Sequence, residues 1–129
     1  MVHQNINVGI FEDRDGTLGV LEFSKVPFIP KRLFWITGVS SDSVRANHAH
    51  KTCHQLLICM SGSVKATITT RENLNSEVLL SIGKVLHLEP MNWLQLHNFS
   101  EDGVLGVLAS EPYDPGEYIN ELDDFLFST

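Results

Sequence analysis

Apolar and polar residues alternate in short runs along this chain, and turn residues interrupt the runs at close intervals. Asp13-Arg-Asp-Gly16 reads as a turn, and Thr17-Leu-Gly-Val-Leu-Glu-Phe23 after it suits a strand. Val26-Pro-Phe-Ile-Pro30 is extended, because two prolines cannot sit in a helix or in a central ladder. Arg32-Leu-Phe-Trp-Ile-Thr37 is a β-branched and aromatic strand that stops at Gly38. The polar loop Ser40-Ser-Asp-Ser43 leads to an extended segment from Arg45 to His50. His54 to Met60 follows, and Ser61-Gly62-Ser63 turns the chain into Val64 to Thr70, which alternates as a half-buried strand should. Val78 to Leu80, Val85 to Leu88, Met91 to His97 and Val104 to Ala109 complete about nine expected strands. Only Glu117 to Leu126 reads as helical, with Tyr118, Leu122 and Phe125 at i, i+4 and i+7.

Short strands with one terminal helix predict an all-β sandwich or barrel. In the 54–60 run neither parity is consistently polar, which predicts sheets covered on both faces, in part by a second subunit. The 129 residues suit one domain spanning 1–129. A domain of this size buries roughly two thirds of its unfolded surface and needs no staples. Cys53 and Cys59, in or beside an apolar run, are expected as buried free thiols.

The net charge of −7 leaves no basic surplus to neutralise phosphates, which argues against nonspecific nucleic-acid binding. A small anionic ligand remains compatible, because a few placed arginines outweigh the average charge locally. No apolar run approaches transmembrane length, and the first residues lack a signal-peptide pattern. The expectation is a cytoplasmic protein with no membrane partner.

The concentrated chemistry lies in Arg45-x-x-His48-Ala49-His50, and four of the six histidines fall between positions 48 and 87. In an extended strand His48 and His50 project on the same side, with α-carbons roughly 7 Å apart. Two imidazoles on one face can bind a metal, trade a proton with a ligand, or serve only as hydrogen-bonded polar groups. The run His48, His50, Gln55 and Gly62 resembles the first cupin motif, and Gly83, Pro90, Asn92 and Gln95 approximate the second. That resemblance implies a double-stranded β-helix, or jelly roll, with a short C-terminal helix. It also implies that Gln55 and Gln95 stand where a cupin metal site takes a carboxylate and a third histidine. Two imidazoles with neutral amides make a poor divalent site, although His54 or His97 would substitute if the register shifted.

A wider set of residues is more specific. Asp13-x-x-Gly16-x-Leu18, Val26-Pro-Phe28, Lys31-Arg32 and Arg45-x-x-His48-Ala-His50-Lys51 belong to it. So do Gln55-Leu-Leu-Ile-Cys59, Ser61-Gly-Ser63, Trp93, Asn98-Phe-Ser100, Leu108-Ala-Ser-Glu-Pro-Tyr113 and Asp114-x-x-x-Tyr118-Ile119. Together they resemble the WxcM-like cupins, sugar 3,4-ketoisomerases that act on dTDP-4-keto-6-deoxyglucose. The resemblance implies a metal-independent, cofactor-free shift of a carbonyl from C4 to C3 of a nucleotide-linked sugar. It implies a place in deoxyaminosugar synthesis for bacterial surface polysaccharide such as lipopolysaccharide. It further implies His48 and His50 beside the hexose, and a homodimer with exchanged N-terminal strands.

The residue chemistry agrees. A neutral imidazole, ordinarily with a pKa of about 6.5, is suited to take the weakly acidic proton beside a ketone. A second imidazole returns a proton to the neighbouring carbon or holds the enediol oxygen. Arg32 and Arg45 are candidates for the diphosphate or the enediolate, because guanidinium forks fit such oxygens. Trp93 is a candidate to stack on sugar or base, with Gln55, Gln95 and His97 as further cavity residues. His97 shares strand parity with Trp93 and Gln95.

The chain also departs from the pattern of these cupins. Asp15 stands where an arginine is usual, Ala46 replaces a glycine, and Phe34-Trp35 replaces a tyrosine pair. Leu94 occupies the place of a histidine or arginine. The resemblance implies that positions 15 and 94 help set the face on which C4 is reprotonated, so these changes bear on stereochemistry. Two other readings stay open: a nucleotide-sugar-binding accessory cupin without turnover, and a metal-dependent cupin.

Overall fold

In the computed structural model, which describes residues 3–128 and only the backbone of 3–5 and 7, alternation sorts the side chains into layers. The strands are β1 (His3–Asn7), β2 (Gly9–Asp13), β3 (Gly16–Val20), β4 (Arg32–Thr37), β5 (Arg45–His50) and β6 (Gln55–Ser61). They continue as β7 (Ser63–Thr69), β8 (Asn75–Ser81), β9 (Lys84–Leu88), β10 (Trp93–His97), β11 (Val104–Ala109) and β12 (Tyr118–Ile119). One helix, α1 (Leu122–Leu126), closes the described chain.

Two antiparallel sheets face each other, one ordered β1-β9-β6-β11-β4 and the other β12-β5-β10-β7-β8, with β2-β3 as a separate hairpin. This is the expected all-β jelly roll of cupin type, with its short C-terminal helix. Leu57, Leu86, Leu105 and Val107 of the first sheet meet Val64, Ile68, Leu80, Leu94 and Leu96 of the second in one buried core. Fully burying one such side chain contributes roughly 1.5–3 kcal/mol.

The two-sided apolar strands have a physical cause. Leu56, Val85 and Leu108 point outward from the first sheet and are covered by Leu21, Val26 and Phe28 of the chain between β3 and β4. Ala49 and Trp93 point outward from the second sheet and are covered by Phe125 of α1. Between β6 and β7 the backbone reverses at Gly62 with φ +64, where a Cβ would also run into Ser100. Cys53 and Cys59 are buried free thiols, as expected.

Two expectations are corrected. There are twelve strands among the described residues, not about nine: β1, β2 and β12 were not expected, and β1 and β12 lack an apolar pattern. Backbone pairing defines them instead, β1 with β9 and β12 with β5. The helix predicted over Glu117–Leu126 shrinks to α1. Pro115–Glu117 forms a single 3-10 turn capped by the Asp114 side chain, and Tyr118–Ile119 is then claimed by the edge of β5. No helix among the described residues is long and apolar enough to cross a membrane.

Candidate active site

The site starts from a break in β5. Ala46 and Asn47 adopt left-handed φ values of +65° and +61°, and the β5–β10 register shifts between Leu94 and Gln95. Non-glycine residues there are strained, so something must hold them. Asn47 Oδ1 does so by accepting from Trp93 Nε1 and Gln95 Nε2, each at 3.2 Å. Plain alternation would send Arg45 and Ala46 to opposite faces; the bulge lets Arg45, Ala46 and His48 line one cavity.

That cavity, about 170 Å³, lies between the sheets at one end of the core. Phe34, Ile36, Leu57, Leu94, Leu96 and Val107 form its apolar wall, with Trp35 at its edge. Arg45, His48, Gln55 and Tyr118 supply its polar groups. The His48 and His50 rings stand 5.0 Å apart, edge to face, and Tyr118 lies 4.9 Å from one and 4.4 Å from the other. The paired imidazoles are therefore neighbours, and His48 is the one that lines the cavity.

His50 is only 4% exposed. Its Nδ1 forms a hydrogen bond with Oε1 of Glu117, while its Nε2 is buried with no partner among the described residues. Glu117 Oε2 accepts the backbone N–H groups of Thr52 and Cys53, each at 3.2 Å. Burial pushes the Glu117 carboxyl up, but the bonds from His50, Thr52 and Cys53 outweigh it and hold the acid below its ordinary range. His48 is lowered to about 4, first by burial and then by its neighbour His50, so it is neutral at neutral pH.

Gln55 is buried with Oε1 unpartnered, and it lines the cavity. Arg32 lies over Phe34 and Tyr113, 5.2 and 5.7 Å from the ring centroids, with Nε buried and unpartnered. Tyr113 in turn is 5.8 Å from Tyr118, which links Arg32 to the imidazoles through two phenol rings. Arg45 is exposed at the cavity edge. Three of the four buried polar atoms without a partner among the described residues thus belong to Arg32, His50 and Gln55. Such atoms are costly unless a ligand or water completes them.

Trp93, Gln95 and His97 are not brought to this cavity. They share a parity, as expected, but it is the outer one, because Leu94 and Leu96 take the inner face of β10. Trp93 is buried against Phe125, and His97 bonds Thr67 at 2.8 Å and Asn98 at 3.0 Å on the outside of the sheet. The second cupin motif therefore does not deliver a ligand from Gln95 or His97, and His54 also points outward, where it bonds His87. His50, Cys53 and Glu117 are the one grouping among the described residues with ligand-type atoms all within 4.8 Å. Both carboxylate oxygens are already engaged there, so the trio fits an oriented imidazole better than an open ligand set.

The family model described as FdtA: WxcM-like, C-terminal matches residues 2–129. The chain belongs to this family. A curated relative is the TDP-4-oxo-6-deoxy-alpha-D-glucose-3,4-oxoisomerase of Aneurinibacillus thermoaerophilus. It is 36% identical over 127 residues, covering 97% of this chain and 91% of the relative. The WxcM-like fold is equally clear in solved structures. The sugar 3,4-ketoisomerase QdtA of Thermoanaerobacterium thermosaccharolyticum, in complex with TDP, superposes with a TM-score of 0.91 at 35% identity. That match covers 97% of this chain and 92% of QdtA. The TDP-quinovose 3,4-ketoisomerase WlaRB of Campylobacter jejuni gives 0.86 at 34% identity, covering 96% of each chain.

Against the WxcM-like pattern, the departures at Phe34, Trp35, Ala46 and Leu94 all fall on the cavity lining. Asp15 does not: it sits at the exposed tip of the β2–β3 hairpin beside Arg14. Sequence reasoning missed Glu117 as a site residue and did not assign a role to Tyr113 or Tyr118. Pro115-Gly116 marks a turn where a helix start was expected, but no sequence signal ties Glu117 to His50.

Proposed function

We propose that this WxcM-like protein is a 3,4-ketoisomerase of a nucleotide-linked 4-keto-6-deoxy sugar, working without a metal or cofactor. The observation that carries the reading is a neutral His48 on the cavity lining, beside the Tyr118 phenol and against the buried His50. His48 takes the proton from C3, which is acidified by the C4 ketone, and an enediolate spans C3 and C4. A proton then returns to C4 while the C3 hydroxyl gives up its own, leaving the carbonyl at C3. Tyr118 relays that proton to the C4 oxygen, which becomes the product hydroxyl. Gln55 Oε1 accepts a sugar hydroxyl, and Arg45 and Arg32 pair with the diphosphate.

The test is proton NMR of dTDP-4-keto-6-deoxyglucose with the enzyme in deuterated water. Loss of the C3 proton signal with deuterium at C4 of the 3-keto product is expected; an unchanged C3 signal would refute the proposal. TDP binding without exchange would favour a nucleotide-sugar-binding accessory protein instead, a reading to which the apolar Leu94 on the cavity wall points.

The proposal includes a cytoplasmic homodimer that supplies keto sugars for surface polysaccharide. Phe11 and Leu18 on the β2–β3 hairpin are 62% and 61% exposed. Beneath the hairpin lies an apolar recess of about 410 Å³ edged by Val8, Ile10, Val20, Met60 and Ile82. Exposed apolar area of that kind marks an interface. Exchange of β1 between subunits would keep the hydrogen bonds it makes with β9. Sedimentation as a dimer supports this; a monomer at micromolar concentration refutes it.

A further inference from the structure

We propose that His48 both takes the proton from C3 and returns it to C4 on one face of the sugar, leaving an axial C4 hydroxyl. This rests on the isomerase reading and adds the configuration of the product. The two sheets divide the cavity unequally. The first sheet contributes Phe34, Ile36, Leu57 and Val107, with Gln55 as its polar member. A carboxamide neither gives nor takes a proton near neutral pH. The second sheet contributes Arg45, His48 and Tyr118, which are the titratable groups of the lining among the described residues. Arg32 of the first sheet lies over Phe34 and Tyr113, and a guanidinium keeps its proton.

A hexose held between the sheets therefore meets proton carriers on one side and hydrocarbon on the other. Arg45 does not deprotonate, and Tyr118 is engaged in moving the hydroxyl proton between the two oxygens. His48 is left for the carbon-bound proton. C3 and C4 are bonded neighbours, so one imidazole nitrogen serves both with a small shift. Taking the C3 proton turns His48 into an imidazolium beside the enediolate. Its pKa is lowered to about 4, chiefly by burial, so the charged ring gives the proton up readily and returns to neutral. A C3–H bond is exchanged for a C4–H bond, and hydroxyl and carbonyl trade places without an oxidant. In a glucose-type ring the C3 hydrogen is axial, and the axial direction at C4 points to the opposite face. A proton delivered from the face of the C3 hydrogen thus lands equatorial at C4 and leaves the hydroxyl axial, as in galactose.

Proton NMR of dTDP-4-keto-6-deoxyglucose with the wild-type enzyme in ordinary water reads the configuration directly. The first 3-keto product is expected to show a small H4–H5 coupling, the mark of an equatorial H4. A large coupling, from an axial H4, overturns the proposal and leaves the isomerase reading intact. Substrate deuterated at C3 is expected to deliver part of its label to C4 of that product, because return to carbon competes with exchange into water. Product carrying no label at C4 overturns the single-imidazole route, again without touching the isomerase reading. Absence of any isomerisation defeats both.

Discussion

Two histidine pairs of this protein look alike in outline and differ in what they can do. His48 and His50 lie at the cavity end of β5; His54 and His87 lie side by side on the outer face of the other sheet, under Phe28. Each pair contains one buried ring nitrogen without a partner, on His50 and on His87. In the outer pair, His54 Nδ1 and His87 Nε2 are 3.0 Å apart, and either ring can supply the shared hydrogen. In the inner pair the rings do not bond each other, and the Glu117 carboxylate holds one of them from behind. The lesson is that a bare nitrogen does not mark a base. In the inner pair it is His48 that meets the cavity, while His50 beside it is held by an acceptor-only partner.

The sharpest way to break this contrast is to remove the inner base. His48→Asn is expected to lower kcat by about 10²–10⁴-fold while TDP affinity is kept, as checked by steady-state kinetics and calorimetry. The outer pair should behave oppositely. His54→Leu leaves the buried His87 ring with both nitrogens unpaired, so unfolding free energy is expected to drop by about 1–3 kcal/mol in urea melts. Turnover per folded molecule should not change.

Titration sharpens the comparison further. The folded pKa of His48 is lowered to about 4, so between there and the ordinary 6.5 the unfolded chain binds more protons. The stability this contributes is present above pH 6.5 and lost as pH falls toward 4. His48 is partly exposed, so solvent screening reduces the effect to about 1–2 kcal/mol. His48→Gln is expected to flatten the pH dependence of melting by that amount. The smallest effect belongs to the bulge that aims the inner pair. Ala46→Gly relieves a left-handed alanine and is expected to raise stability by about 0.5–1 kcal/mol.

Much of the inner pair was legible in the sequence, because spacing of two residues on an extended strand is a local rule that His48 and His50 obey. Gln55 followed from motif spacing. Parity put Trp93, Gln95 and His97 together, yet parity cannot say which face is the inside, and the inner face went to Leu94 and Leu96. Glu117 was illegible for a different reason. It lies 67 residues from His50, and only the pairing of β12 with β5 brings it there. Periodicity favoured a helix at that point, and the two-residue strand that replaced it has no pattern long enough to read.

The pairing of β12 with β5 also imposes an order in time. A ribosome delivers His50 long before Glu117, so the nascent chain can shape most of the β-sandwich around an imidazole whose proton is still free to choose its nitrogen. The carboxylate that settles that choice follows 67 residues later.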